Sequence, residues 1–308
     1  MEFRTLGRTG LVVSKLGFGA SPLGNEFGEM DAGEGERAVH CAIDLGINYF
    51  DTAPYYGRTL AETRLGAALE GRRDKVVLAT KCGRYDVNQF DFSAARIRAS
   101  IDESLTRLRT DYLDVFIAHD VEFVSRAQIV EQAIPTMREL QRLGKTRFIG
   151  ISGLQLNMLR EVAEAAPVDV ILSYCRYNLL TTDMDELLTP FVREHGIGLI
   201  NASPLAMGML TREGPPAWHP APLELKEAAR KISERFPVSA VGLQFCLQHP
   251  YVGTTLSGIS SVAQVKENVA AAMAAPNFEM MDEIRRMAAA VENRWWPTGL
   301  RENQDHGS

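Results

Sequence analysis

The residues with chemical capacity fall at the ends of short apolar runs. Asn48, Tyr49 and Phe50 lead into Asp51-Thr52-Ala53-Pro54-Tyr55-Tyr56-Gly57. Val76 to Thr80 runs into Lys81, and Leu113 to Ala118 runs into His119. A carboxylate, an ammonium and an imidazole therefore each terminate a β-prone segment, and Tyr56 follows Asp51 in the same loop. Loops at the C-terminal ends of parallel strands converge, which is where α/β proteins keep their chemistry. Lysine and histidine in such places are costly to bury alone. In neighbouring parallel strands they would be each other's partners. Taken by itself, DTAPYYG has a plainer reading, an aspartate capping the next helix with two aromatics packed on a loop. The two further strand ends weigh against it.

The elements that would position these groups recur along the whole chain. Strands are expected at 16–19, 48–53, 76–81, 113–119, 146–152, 169–174, 198–203 and 252–257. Helical periodicity fills the intervals, for example 34–45, 61–69, 93–108, 128–143 and 184–195, with two more helices at 262–273 and 281–292. Ser93 reads as the cap of a helix opening at Ala94, and Gly144 as a stop after Leu143. Eight strand–helix units with short connections predict a parallel sheet closed into a (β/α)8 TIM barrel, an α/β fold. Ahead of it, Phe3 to Leu6 and Leu11 to Ser14 flank Gly-Arg-Thr-Gly and predict a β-hairpin. No linker or composition shift divides the chain, so residues 1–308 are expected to form a single domain. Its polar end, 301–308, is expected to fray.

Composition narrows the function classes. The chain has 308 residues, 45% of them hydrophobic, enough to bury a large core, and a formal net charge of −6. That charge argues against a nucleic-acid surface or an anionic membrane. No apolar run is long enough to span a bilayer, and the N-terminus lacks a basic-then-apolar signal pattern. Cys41, Cys82, Cys175 and Cys246 lack CxxC spacing, and the six histidines include no HExxH. Reduced thiols, a cytoplasmic location and no metal site are the expectation.

In these residues and their order the chain resembles the aldo-keto reductase family, from the first hairpin to about Gly299. Asp51, Tyr56, Lys81 and His119 match that family's catalytic tetrad. The resemblance implies that the hairpin closes the bottom of the barrel and that a nicotinamide cofactor carries the hydride. A tyrosine hydroxyl, with a pKa of ~10, is a poor base near neutrality. A neighbouring ammonium shifts such a group by ~1–3 units. Lys81 would supply that charge, Asp51 would orient Lys81, and His119 would hydrogen-bond the substrate oxygen.

Gly17-Phe18-Gly19-Ala20-Ser21-Pro22 has proline where a dinucleotide fingerprint needs its third glycine, so a Rossmann site is unsupported. The resemblance instead places the cofactor on the late strands. Ser152 matches the first half of the family's carboxamide-binding pair, with Gly153 in place of the second. Ser203, Leu205 and Gly208 match the loop along the pyrophosphate, and Gln264, Glu267 and Asn268 match the adenine end. Tyr174 and Ala202 depart from the family's usual glutamine and stacking tyrosine, so Tyr174 is expected to offer the ring face. The stretch 256–261, with Gly258 at its centre, carries no cation for a 2′-phosphate. NAD is the expected cofactor and NADP the poorer fit.

Several stretches are similar to an aldose-oxidising subset of the family: ILSYC (171–175), INASPLAMGML (200–210), GPPAWHPAP (214–222) and WPTG (296–299). They imply oxidation of an aldopyranose, of L-galactose or L-fucose type, at C1 to the aldonolactone with Tyr56 as general base. Trp218, Trp295 or Trp296 would cover the apolar face of the sugar. As plainer alternatives, the Trp218 loop packs down and the two adjacent tryptophans plug a groove. A broad NADPH-dependent carbonyl reductase and a non-enzymatic regulatory barrel remain as alternative functions. The partner is a small sugar or carbonyl compound, and the chain a monomer or small homo-oligomer.

Overall fold

Eight short apolar runs, none able to bury its own faces, close on one another. In the computed structural model, which describes residues 1–305, there are twelve strands. They are β1 (Phe3–Thr5), β2 (Val12–Ser14), β3 (Leu16–Gly19), β4 (Tyr49–Asp51), β5 (Val77–Cys82) and β6 (Arg84–Asp86). Next come β7 (Gln89–Phe90), β8 (Leu113–Ala118), β9 (Thr146–Gly153), β10 (Val170–Tyr174), β11 (Gly198–Ala202) and β12 (Val252–Gly258). The order β3-β4-β5-β8-β9-β10-β11-β12 closes into a barrel, every pairing parallel. This is the (β/α)8 architecture that the alternation predicts.

β1 and β2 form the antiparallel hairpin. Leu6 from its turn is fully buried against the first residues of β11 and β12. A Cβ built on Gly198 or Gly253 would lie 2.7 Å from Leu6 atoms, so only glycine admits the plug. The barrel strands add Tyr49, Val115, Ile117, Val170 and Ile200 to the same buried cluster as Leu6 and Val13 of the hairpin. Side chains thus fill the lower barrel, and chemistry is confined to the opposite rim.

The helices follow their capping signals. Ser93 accepts from Arg96 N at 3.3 Å and opens Ala94–Leu108, and Gly144 takes a left-handed φ of +79° after Ile134–Arg142. Two expected helices are interrupted. The segment expected at 128–143 is Arg126–Gln128, a π-turn at Ile129–Ala133, then Ile134–Arg142, because Pro135 has no N–H to continue the ladder. The one expected at 184–195 divides into Met184–Leu187 and Thr189–His195, with Pro190 at the break. The last long helix is Phe278–Ala288 and starts earlier than expected, since Asn277 accepts from Met280 N at 3.0 Å.

The expected frayed end is corrected over residues 301–305. Asn303 Nδ2 donates to the carbonyls of Glu122 (2.9 Å) and Val124 (2.7 Å). The Asp305 carboxylate accepts from Leu156 N at 2.9 Å, Asn157 N at 2.8 Å and Arg176 Nη1 at 2.9 Å. It therefore caps a helix, Leu156–Ala165, whose own N-cap residue Gln155 makes no capping bond. Arg176 is fully buried and bonds Asp183 as well, so the tail completes a buried charge cluster. Residues 306–308 of that expectation lie outside the described residues.

Candidate active site

β4, β5 and β8 are neighbours in the barrel, and their ends deliver Asp51, Lys81 and His119 to one rim. Burial of Lys81 at 1% exposure is tolerable because Nζ donates to Asp51 Oδ1 and, at 2.8 Å, to Thr52 O. Nζ also sits 4.8 Å from the centroid of the Tyr56 ring, and His119 stands edge-on to that ring with centroids 5.6 Å apart. The four residues that the sequence scatters over 51–119 form one cluster. Asp51 Oδ2 and His119 Nδ1 are buried and have no hydrogen-bond partner among the described residues. Unpaired buried polar atoms of this kind mark sites more than cores.

Electrostatics divides the roles. Burial dominates at Tyr56 and holds its hydroxyl up at about 12, although Lys81 pulls the other way. The expected lowering by Lys81 is present, but desolvation outweighs it. Burial also pulls Lys81 down, yet Asp51 and Tyr56 together win and leave its pKa raised, so it stays an ammonium. Burial raises Asp51 despite Lys81. His119 is pushed down to about 3 by burial, with Lys81 and Arg84 acting in the same direction against Asp120. The imidazole is neutral at physiological pH and can act as a neutral hydrogen-bonding group.

From Asp51 and Tyr56 a cleft of about 680 Å³ runs past Ala202, Ser203, Leu205 and Gly208 to Gly258, Gln264, Glu267 and Asn268. Seven residues named as cofactor contacts thus line one continuous trough. Its walls are set locally: Gly208 has φ +95°, and a Cβ there would meet Gly214 O at 3.3 Å. Ser203, Ala206 and Met207 also take left-handed backbone angles, strain that concentrates on this loop. Gln264 accepts from Ser260 N at 2.8 Å, and Asn268 Nδ2 donates to Ser257 Oγ at 3.1 Å. No lysine or arginine is among the described residues lining the cleft.

Ser152 and Tyr174, also expected at the cofactor, are not among the residues lining this cleft. The Ser152 hydroxyl is 1% exposed, between Ala118 O (3.4 Å) and Asp120 N (3.3 Å), at the junction of β8 and β9. Tyr174 is half-buried beside Ala202, its register partner, and burial pushes its hydroxyl well above the usual range. The tryptophans separate. Trp218 is 53% exposed and tilts against Phe27, a cleft residue, at 5.7 Å. Trp295 is half-buried with Arg176 4.9 Å from its ring. Trp296 is buried, with its ring 5.1 Å from that of His219.

Two groups escaped the sequence reading. Glu122 is fully buried beside β9, where Oε1 accepts from Leu154 N at 2.9 Å and Thr298 Oγ1 at 3.2 Å. Burial and Asp120 push its carboxyl up to about 8, and Oε2 has no hydrogen-bond partner among the described residues. That oxygen lies 2.4 Å from where a Gly153 Cβ would stand, so it occupies the space of the side chain that Gly153 lacks. The other group is Arg84 with Asp120, an ion pair next to His119. The only advance signal for Asp120 was its position directly after His119.

Residues 15–289 match the Aldo/keto reductase family, and the chain belongs to it. It is 46% identical to an L-galactose dehydrogenase from Arabidopsis thaliana over 98% of this chain and 99% of that protein. A D-threo-aldose 1-dehydrogenase from a Pseudomonas species is 31% identical over 84% and 89% of the two chains. Among solved structures, a holo aldo-keto reductase from Bacillus halodurans superimposes with a TM-score of 0.81 at 30% identity, covering 99% of this chain and all of that one. The protein is an oxidoreductase of the CH–OH/carbonyl class that works with a nicotinamide cofactor.

Proposed function

We propose that the protein oxidises an aldopyranose, of L-galactose or L-fucose type, at C1 to the aldonolactone, using NAD. The observation that carries this reading is the cleft. One end holds Tyr56 over Lys81 and Asp51, and the other is lined by Gly258, Ser260 and Gln264 without a cation. Among the described residues that line this cleft, a dianionic 2′-phosphate would meet Glu267 and no guanidinium or ammonium. Ser203, Leu205 and Gly208 would flank the pyrophosphate, Gln264, Glu267 and Asn268 the adenosine, and Ser152 and Tyr174 the nicotinamide. The similarity to L-galactose dehydrogenase supports the sugar.

When bound, NAD supplies the hydride acceptor. The chain's own work is with the proton. Tyr56 as phenolate takes the C1 hydroxyl proton while the C1–H bond breaks and the C1–O bond becomes a carbonyl. Lys81 stabilises that phenolate, Asp51 keeps the ammonium aimed, and neutral His119 holds the C1 oxygen by a hydrogen bond. Residues 1–308 act as one barrel domain in this reading, and the four free cysteines fit a reducing, cytoplasmic setting. Initial rates with NAD and with NADP across a panel of aldoses, beside reduction of a simple aromatic aldehyde, test it. NAD reduction with L-galactose or L-fucose is expected. No aldose oxidation together with brisk NADPH-driven aldehyde reduction would replace it with the carbonyl-reductase reading.

A further inference from the structure

Asp120 follows His119 directly and holds a left-handed backbone, φ 53° and ψ 60°. That conformation costs a non-glycine residue ~1–2 kcal/mol. It turns the carboxylate back over the preceding side chain, so that Oδ2 lies 3.7 Å from His119 Nε2. The carboxylate is only 4% exposed and paired with Arg84 Nη1. Arg84 comes from β6, the small strand after the Lys81 strand, and its guanidinium sits 3.9 Å from the Tyr55 ring centroid. Phe90 and Phe123, stacked on each other at 4.4 Å, flank it at 5.3 and 5.4 Å. Tyr55 in turn stands 6.0 Å from both Tyr56 and His119. Arg84 Nε is buried and has no hydrogen-bond partner among the described residues.

Stability does not explain this arrangement. A buried ion pair is at best weakly stabilising against apolar residues of the same volume, and here one N–H goes unmatched inside an aromatic nest. Backbone strain, a desolvated charge pair and an unmatched donor in one place mark a binding surface. At 3.7 Å, His119 Nε2 and Asp120 Oδ2 are too far apart to bond directly, but a hydroxyl oxygen between them reaches both.

We propose that Asp120, held by Arg84, binds the hydroxyl on the carbon next to the reacting one and so sets specificity for aldoses. The proposal rests on the aldose reading above. The two oxygens of a vicinal diol lie about a hydrogen-bond length apart. With the C1 oxygen on Tyr56 and His119, the C2 hydroxyl falls against Asp120, whose carboxylate accepts from it, while Arg84 Nη1 holds that carboxylate in place. A plain aldehyde or alcohol has no such hydroxyl and would leave the pair unmatched.

The test crosses enzyme variants with deoxysugars. Wild type should oxidise L-galactose with kcat/KM about 10- to 100-fold above 2-deoxy-L-galactose, the span of one hydrogen bond to a charged group. Asp120→Asn keeps shape and backbone, since asparagine tolerates left-handed angles, and should shrink that ratio to about threefold or less. Arg84→Lys, which keeps the charge but loses the planar fork, should shrink it part-way. Melting curves establish that each variant is folded. Equal losses on both sugars would overturn the proposal, because Asp120 would then act on His119 or on the fold. So would a wild type indifferent to the 2-hydroxyl. If wild type oxidises no aldose but reduces an aromatic aldehyde, the aldose reading itself has failed and takes this proposal with it.

Discussion

Replacing Lys81 by methionine isolates the electrostatics of the site. Methionine keeps the length and apolar stem of lysine and removes only the charge. In the protein Tyr56 lies at about 12 even with the ammonium 4.8 Å from its ring. Oxidation needs the phenolate, so at pH 8 only a small fraction of the molecules is in the active form. The rate should then climb about tenfold per pH unit, with no plateau through pH 10. An opposite charge at this range shifts a partner by ~1–3 units. Its loss raises the Tyr56 pKa further, so at any fixed pH below it aldose oxidation should fall about 10- to 1000-fold. The rising limb keeps its slope and moves to higher pH. Reduction of an aldehyde needs the protonated tyrosine, which is present throughout this range, so the reductive rate should show no such displacement of a rising limb. Removing one partner of a buried pair also costs ~3–5 kcal/mol, so melting curves must accompany the kinetics. Asp51 can lessen that cost by taking a proton, as burial already raises its pKa. The measurement is kcat for L-galactose from pH 6 to 10.5 in both enzymes. Oxidation that falls by less than about tenfold across this range, in a variant shown to be folded, would refute the assignment of Lys81 as the charge that tunes Tyr56.

Three further outcomes follow from the same structure. Tyr56→Phe should lower kcat about 10²- to 10⁴-fold while cofactor titration gives an unchanged Kd; half-maximal activity retained would rule Tyr56 out as the base. Ser260→Arg, at the uncharged end of the cleft, should move the NADP-to-NAD ratio of kcat/KM upward by about tenfold or more; a wild type that already favours NADP would negate that reading. Position 260 is the better choice over Gly258, where an added Cβ would press on Pro22 Cγ at 3.2 Å. Burial holds the Glu122 carboxyl up at about 8 in the folded protein, against the ordinary glutamate value of 4.5 once unfolded. The native state therefore holds the extra proton between those values, and stability should fall as pH rises through them. Glu122→Gln should flatten that decline, seen as a Tm that no longer drops from pH 5 to 8; a wild-type Tm that is flat over the same range would contradict the burial argument.

The barrel and the meeting of Asp51, Tyr56, Lys81 and His119 at one rim were legible because both depend on period and position. Strand and helix periodicity is local, and polar groups such as Asp51, Lys81 and His119 stand out when they end apolar runs. The cofactor contacts proposed on the late strands rest on the family's pattern alone, since Ser203, Gln264 and Asn268 carry no chemistry of their own. Helix interruptions at Pro135 and Pro190 were written in the sequence and under-read. What no local signal contained were contacts between distant segments. Asp305 finds the N-terminus of a helix 149 residues earlier, and Glu122 fills the space left by Gly153. Arg84 meets Asp120 across 36 residues. The sign of the Tyr56 shift belongs with these: a nearby lysine can be inferred from strand order, but the desolvation that outweighs it is a property of the closed barrel. Types and periods are set along the chain, so the sequence determined which groups line the rim. Burial and electrostatic balance are sums over everything packed around a group, and only the tertiary structure decided those.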